Sequence, residues 1–145
     1  MYVAAKGLGA YLIRDVEPKD DSSLNQKEIE HLLERLPLES ASHEEFRVAV
    51  SRSHQTPETH DRIDQIRQQH PDLKLIEQGS SYKFCLLAEG TIDYYVRTTT
   101  TSEWDTAAGE LILLEAGGTT YDYATGAPLT YNKEVLDNPW FIAKR

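Results

Sequence analysis

From Phe46 to the end of the chain, apolar positions fall in short blocks whose period switches between about 2 and about 3.6, the mark of strands alternating with helices. "FRVAVSRSH" opens as a β-branched strand and runs into a polar turn. "TPETHDRIDQIRQQHP" predicts a helix with Thr56 as N-cap, Pro57 at the first helical position and Pro71 as the stop. "LKLIEQ" reads as a strand, "GSSYKFCLLAEG" as a helix opened by a glycine and serines, and "TIDYYVR" as an alternating strand. A helix over "WDTAAGELILLEAGG" is closed by a glycine pair, "TTYDYATGAPL" turns at Thr125-Gly126, and "PWFIAK" gives a last strand. The order β-α-β-α-β-α-β-β predicts an α/β fold, a layered sheet-and-helix domain over 46–145 with a largely buried sheet.

The first 45 residues read differently. "MYVAAKGLGAYLI" predicts a hairpin over 1–15, turning at Lys6-Gly7, with Gly9 permitting a bulge or a close backbone approach. Over 16–45 a helical connection is expected, because Leu24, Ile29, Leu32, Leu33 and Leu36 follow helical spacing up to Pro37. A domain that begins on a strand suggests a sheet entered partway.

Composition narrows the function classes. With 145 residues, 39% hydrophobic and 27% charged, the chain is long enough for one domain with a real core. A net charge of −9 argues against binding a nucleic-acid polymer, yet leaves room for a small phosphorylated ligand held by local cations. The single cysteine, Cys85, excludes an intramolecular disulfide and reads as a core residue. His31, His43, His60 and His70 show no zinc spacing, and Tyr82, Tyr94 and Tyr95 read as sheet and core residues. With no signal peptide or membrane span in the sequence, the expectation is a cytoplasmic protein without a membrane partner.

Candidate chemistry lies at strand ends and helix starts. Asp105 stands at or next to a helix N-cap, where a carboxylate meets free amides; capping alone accounts for it, and so does holding a hard cation such as Mg²⁺. Ala107, Ala108 and Gly109 keep that first turn slim enough for a close approach. Ser80 at a helix start offers an anion cradle, Lys83 adds a cation, Arg97 at a strand end suits a phosphate, and His54 suits a base. Taken singly, each has a plainer reading: a cap, a solvated lysine, a surface charge, a loop histidine. Taken together, they point to a phosphate-handling pocket. No G-x-S-x-G elbow, P-loop or Rossmann fingerprint is present.

"WDTAAGELILLEAGG" resembles the C-terminal signature of the inositol-monophosphatase-like superfamily, W-D-x-A-A-G followed by an apolar run and E-A-G-G. "SRSH", "GSSYKFCLLAEG" and "DYYVR", in that order and spacing, and the closing "PLTYNKEVLDNPWFI" resemble the 3'(2'),5'-bisphosphate nucleotidases of the CysQ type. The resemblance covers essentially the whole chain and implies the αβαβα fold. It also implies a Mg²⁺-dependent, lithium-sensitive phosphatase that converts adenosine 3',5'-bisphosphate to AMP and phosphate. By the same resemblance Asp105 is a catalytic residue, a Mg²⁺ ligand on the leaving-group side, with Trp104 beside it. Ser80, Lys83 and Arg97 grip the non-scissile phosphate, and His54 contacts the adenine. "SRSH" and "GSSYK" favour such a nucleotide over an inositol phosphate, the alternative substrate within the superfamily.

The sequence departs from the family in places. Thr98 to Glu103 read "TTTTSE" where the family has an apolar residue and a Gly or Ala followed by Pro; the length is kept, and a loss of stiffness is expected. Tyr82 replaces an aliphatic residue. No D-P-x-D-G-T motif occurs, and "RDVEPKDD" lacks its spacing and its Gly-Thr turn. The resemblance is therefore to the C-terminal half of such an enzyme, with the last strands of the N-terminal sheet at its start. Further Mg²⁺ ligands are then expected from an N-terminal half, and this chain alone is expected to be inactive. A truncated nucleotide-binding or interaction module is the non-enzymatic alternative. Unpaired sheet edges invite self-association or pairing with a separate N-terminal half.

Overall fold

The computed structural model describes residues 1–14, 31–41, 43–53 and 55–145. A five-stranded sheet forms the centre, with Lys74–Glu77, Arg47–Val50, Tyr94–Arg97, Phe141–Lys144 and Thr119–Asp122 side by side in that order. Strands β4 (Arg47–Val50), β5 (Lys74–Glu77) and β6 (Tyr94–Arg97) run parallel, joined by α1 (Pro57–Gln69) and α2 (Tyr82–Glu89). Strand β10 (Phe141–Lys144) lies antiparallel between β6 and β8 (Thr119–Asp122), after α3 (Glu103–Glu115). The mixed α/β fold expected from the sequence is the one observed.

Alternation along the strands assigns their side chains to two cores. Val48, Val50, Tyr94, Val96 and Ile142 face α1 through Ile63 and Ile66. Ala49, Tyr95, Phe141 and Ala143 face the other way, against Phe84 and Leu87 of α2 and Leu113 of α3. Arg97, two residues after Tyr95, falls on that second face, which is what turns it toward the site. Helix α1 starts as expected, with Thr56 as N-cap and Pro57 in the first turn. Helix α2 ends at Gly90, whose φ of 87° is the left-handed conformation glycine tolerates best.

A three-stranded sheet, β1 (Tyr2–Ala5), β2 (Gly9–Ile13) and β3 (Leu33–Arg35), covers the outer side of the helix pair. Ala10, Leu12 and Leu36 bury against Ala88 of α2, with Tyr2, Ala4 and α3's Ile112 packed around them. Glu115 at the end of α3 accepts the amides of Gly7 at 2.8 Å and Gly9 at 2.9 Å, pinning the hairpin turn. The opposite face of this sheet is also apolar: Met1, Val3, Leu8 and Leu32 are exposed along a groove of about 460 Å³. The layers therefore run helix, sheet, helix pair, sheet.

Two local expectations are corrected. The helix expected to run to Leu36 gives way to β3, because Leu33–Arg35 pairs with Tyr11–Ile13 and tertiary pairing overrides the periodicity. The "TTTTSE" stretch is held firmly. Thr98 is buried and its hydroxyl bonds those of Thr56 and Thr59, while β7 (Thr101–Ser102) pairs with β9 (Asp137–Asn138). Among the described residues, no helix is long and apolar enough to cross a membrane.

Candidate functional site

The C-terminal ends of β4 and β6 meet the N-terminal ends of α2 and α3 around a cleft of about 310 Å³. Ligands in α/β sheets gather at this end, where carbonyl-terminated strands and amide-rich helix starts converge. Ser80, Lys83, Arg97 and Asp105 all line the cleft, with Trp104 at its rim. Four of the five residues singled out in the sequence are thus brought together. The fifth, His54, lies outside the described residues.

The α2 wall is built around a buried amine. Lys83 is 2% exposed, so the solvated-lysine reading fails. Its Nζ donates to Ser80 O at 2.8 Å and Gln78 O at 3.0 Å and lies 4.8 Å from the Tyr95 ring centroid. Burial, then the neighbouring charges of Arg97 and Arg52, push its pKa down to about 8. Ser80 adopts φ 64°, left-handed for a residue with a side chain. Ser81, the N-cap, makes no side-chain capping bond, so the first amides of α2 are not closed by its hydroxyl.

Arg97 supplies the opposite wall, and its buried Nε has no hydrogen-bond partner among the described residues. An orphaned guanidinium donor beside a cleft is costly unless an anion completes it. Arg52 is the residue that sequence reading passed over. Its Nη2 lies 3.1 Å from where a Cβ would stand on Gly79, so glycine is what lets the guanidinium rest against the loop. The signal was present, since Arg52 is the second residue of "SRSH". Tyr95 was read as core; it is 4% exposed, lines the cleft, and burial pushes its phenol up to about 12. Tyr82, also read as a core residue, is instead 40% exposed and sits beside Tyr2.

The α3 wall carries Asp105 and Trp104, both exposed, with the indole 71% exposed. Ser102, not Asp105, is the N-cap; Asp105 is at the third helical position and its Oδ2 accepts Ser102 N at 2.9 Å. Ala107 and Ala108 are exposed, whereas Gly109 is slim for a packing reason: a Cβ there would stand 2.9 Å from Phe84 Cβ. The segment after β8 fixes this helix start from behind. Asn138 Nδ2 donates to Ser102 O at 2.8 Å, Thr106 Oγ1 at 2.9 Å and Thr101 Oγ1 at 3.2 Å. Glu103 accepts the amide of Asn132 at 2.7 Å and pairs with Lys133, whose ammonium holds its carboxyl below the usual range. Buried Glu110 accepts the Tyr131 hydroxyl, and burial raises its pKa.

These donors do not by themselves make a metal centre. Asp105 offers one carboxylate, half engaged in capping, and the described residues contain no group of three or more His, Cys, Asp or Glu able to hold an ion. Mg²⁺ commonly uses one or two protein carboxylates besides substrate phosphate, and Asp105 supplies one, with an oxygen already engaged in capping.

Comparison with known proteins bears on the family and the fold. The model of the inositol monophosphatase family matches residues 1–142. The crystal structure of CysQ from Bacteroides thetaiotaomicron superposes with a TM-score of 0.90 at 42% identity, covering 99% of this chain and 52% of that one. The 3'(2'),5'-bisphosphate nucleotidase CysQ of Salmonella typhimurium is 42% identical over 95 residues, which is 65% of this chain and 37% of that protein. An inositol monophosphatase from Anabaena (Nostoc) sp. shares the fold, with a TM-score of 0.56 at 22% identity, over 99% of this chain and 50% of that one. The chain thus spans about half the length of the solved relative, and less of the curated one.

Proposed function

The chain belongs to the inositol monophosphatase family, and from that premise we propose that its cleft grips the phosphates of a small bisphosphorylated nucleotide, adenosine 3',5'-bisphosphate. The observation that carries this reading is that Lys83 and Arg97 line one cleft, with Arg52 close behind them against Gly79, in a chain of net charge −9, and that the buried Arg97 Nε has no hydrogen-bond partner among the described residues. Cations gathered against such a background are expensive to keep together without an anion. Arg97 donates to the non-scissile phosphate and the amides at the start of α2 complete its cradle. His54 is assigned to the base.

The reaction of the whole enzyme is hydrolysis of the 3'-phosphoester: water adds to phosphorus, the P–O bond to the ribose breaks, and AMP and inorganic phosphate leave. Asp105 is the group of this chain that would hold Mg²⁺, which polarises phosphoryl oxygens when bound. Among the described residues lining the cleft Asp105 is the one carboxylate, so what these residues do themselves is bind and orient the nucleotide. That shortage also supports a second reading, a nucleotide-binding module that turns nothing over without carboxylates supplied from elsewhere.

The test is calorimetric titration of the purified chain with adenosine 3',5'-bisphosphate and with AMP, alongside phosphate release in Mg²⁺ with and without lithium. Tighter binding of the bisphosphate without phosphate release is the expected result. Equal affinity for both ligands would refute the two-phosphate reading, and lithium-sensitive turnover would refute the shortage of ligands.

A further inference from the structure

The buried amine of α2 shapes the cleft wall in a way that, on the reading of the cleft as a phosphate site, decides how the anion is held. Lys83 makes no ion pair among the described residues, although it is charged and 2% exposed. Its donors go to backbone: Gln78 O at 3.0 Å and Ser80 O at 2.8 Å, with the Tyr95 ring centroid 4.8 Å away. An ammonium has three protons to give, and these contacts occupy most of them. The groups facing it are Arg52 from the loop after β4 and Arg97 and Tyr95 from β6.

What Lys83 ties down has an uncommon backbone. Ser80 stands at φ 64° and Ser81 follows at φ −60°, ψ −11°. A left-handed residue followed by a right-handed one turns successive amides to one side, a concavity that receives anions. Trans peptide planes set each N–H opposite its carbonyl, so the Ser80 carbonyl drawn onto Nζ sends the Ser81 amide the other way, into that concavity, while the Gln78 carbonyl fixes the loop that enters it.

We propose that Lys83 is a positioning residue: its buried ammonium anchors the Gln78 and Ser80 carbonyls, holds Ser80 left-handed, and so presents the Ser80–Tyr82 amides to a phosphate that Arg97, rather than Lys83, contacts through its side chain. This departs from the family-derived expectation that Lys83 grips the phosphate directly.

Lys83→Met keeps the length and packing of the side chain and removes both carbonyl bonds. Affinity for adenosine 3',5'-bisphosphate falls by about tenfold or more, as loss of charge-assisted bonds does, and amide exchange at Gly79 to Tyr82 accelerates. Adding Ser80→Gly restores most of the lost affinity, because glycine adopts the left-handed conformation without help. A direct ligand would not be rescued this way, so a double variant as weak as Lys83→Met overturns the proposal. If Lys83→Met does not fold, the wild-type chain decides. On saturation with the nucleotide well below pH 8, where the ammonium is already charged, the ¹⁵N resonance of Lys83 Nζ stays in place while that of Arg97 Nε moves; a Lys83 shift as large as Arg97's overturns the proposal. Wild-type chain that binds no bisphosphate sinks the phosphate-site reading instead. Exchange at Gly79 to Tyr82 then tests Lys83 by itself, and unchanged exchange in Lys83→Met overturns its positioning role.

Discussion

Replacing Gly109 by alanine sets two opposite effects against each other at one position. Gly109 is in the middle of α3, where glycine costs a helix about 1 kcal/mol relative to alanine, so a solvent-facing substitution would stabilise. Here the added Cβ would stand 2.9 Å from Phe84 Cβ and 3.0 Å from its Cγ and Cδ2. Carbon atoms pack at about 3.5–4.0 Å, so α2 and α3 must part by roughly half an ångström or the Phe84 ring must leave its place. The ring has nowhere to go. It is 1% exposed, edge-on to Tyr95 at 5.8 Å and stacked on Phe141 at 5.7 Å. Overpacking of this kind costs about 1–3 kcal/mol, which exceeds the helix gain and leaves a net loss of about 1 kcal/mol. For a chain of this length that lowers Tm by about 3 °C. Urea denaturation followed by circular dichroism reads the difference, with Ala108→Gly on the exposed side of the same helix as the control for propensity alone. A Gly109→Ala chain with a midpoint equal to or above wild type would show that the helices are not in contact here as described.

Other perturbations probe the floor and wall of the cleft. Asn138→Ala strips Ser102 O, Thr101 Oγ1 and Thr106 Oγ1 of a shared donor and is expected to cost about 1–3 kcal/mol, measured by the same denaturation; a neutral result would mean water replaces the amide. Glu110 has its folded pKa raised, so the folded state holds its proton more tightly than the unfolded one, and stability falls as pH rises from the ordinary glutamate range toward neutrality. Glu110→Gln should therefore stabilise the chain at pH 7 and flatten that decline, and no change in the pH profile would contradict the assignment. The folded pKa of Lys83, lowered to about 8, has the reverse sense: a bound phosphate favours its charged form, so binding takes up protons near pH 8 and bisphosphate affinity declines as pH rises through that value. Calorimetry in buffers of different ionisation enthalpy detects the uptake, and pH-independent affinity between pH 7 and 9 would refute it.

Much of this architecture is legible in the sequence where local signals and tertiary packing agree. Thr56-Pro57 announces α1 because cap and first-turn chemistry are local, and Gly90 stops α2 because its φ is positive. The sharing of one cleft by Ser80, Lys83, Arg97 and Asp105 followed from their places at strand ends and helix starts. What was not legible depends on partners distant in sequence. Leu33–Arg35 becomes a strand only because β2 offers an edge, and Thr101–Ser102 because Asp137–Asn138 lies alongside. Nothing in "GSSYK" tells whether the lysine points out to an anion or back onto Ser80 O. Gly109 reads equally as room for a ligand and as room for Phe84, and only the packing distinguishes them.

The cleft's cations sit within a molecule of net charge −9, and this has a kinetic consequence. In dilute buffer, with a Debye length of about 30 Å at 0.01 M, an approaching anion such as the proposed bisphosphate first meets the repulsion of the whole chain. Near physiological ionic strength that length shrinks to about 8 Å, and the far field fades while the half-buried guanidinium of Arg97 keeps most of its pull. Capture is then a matter of the last few ångströms rather than of long-range steering. Moderate salt should quicken encounter before it weakens grip, the reverse of what a basic protein does with its anionic ligands.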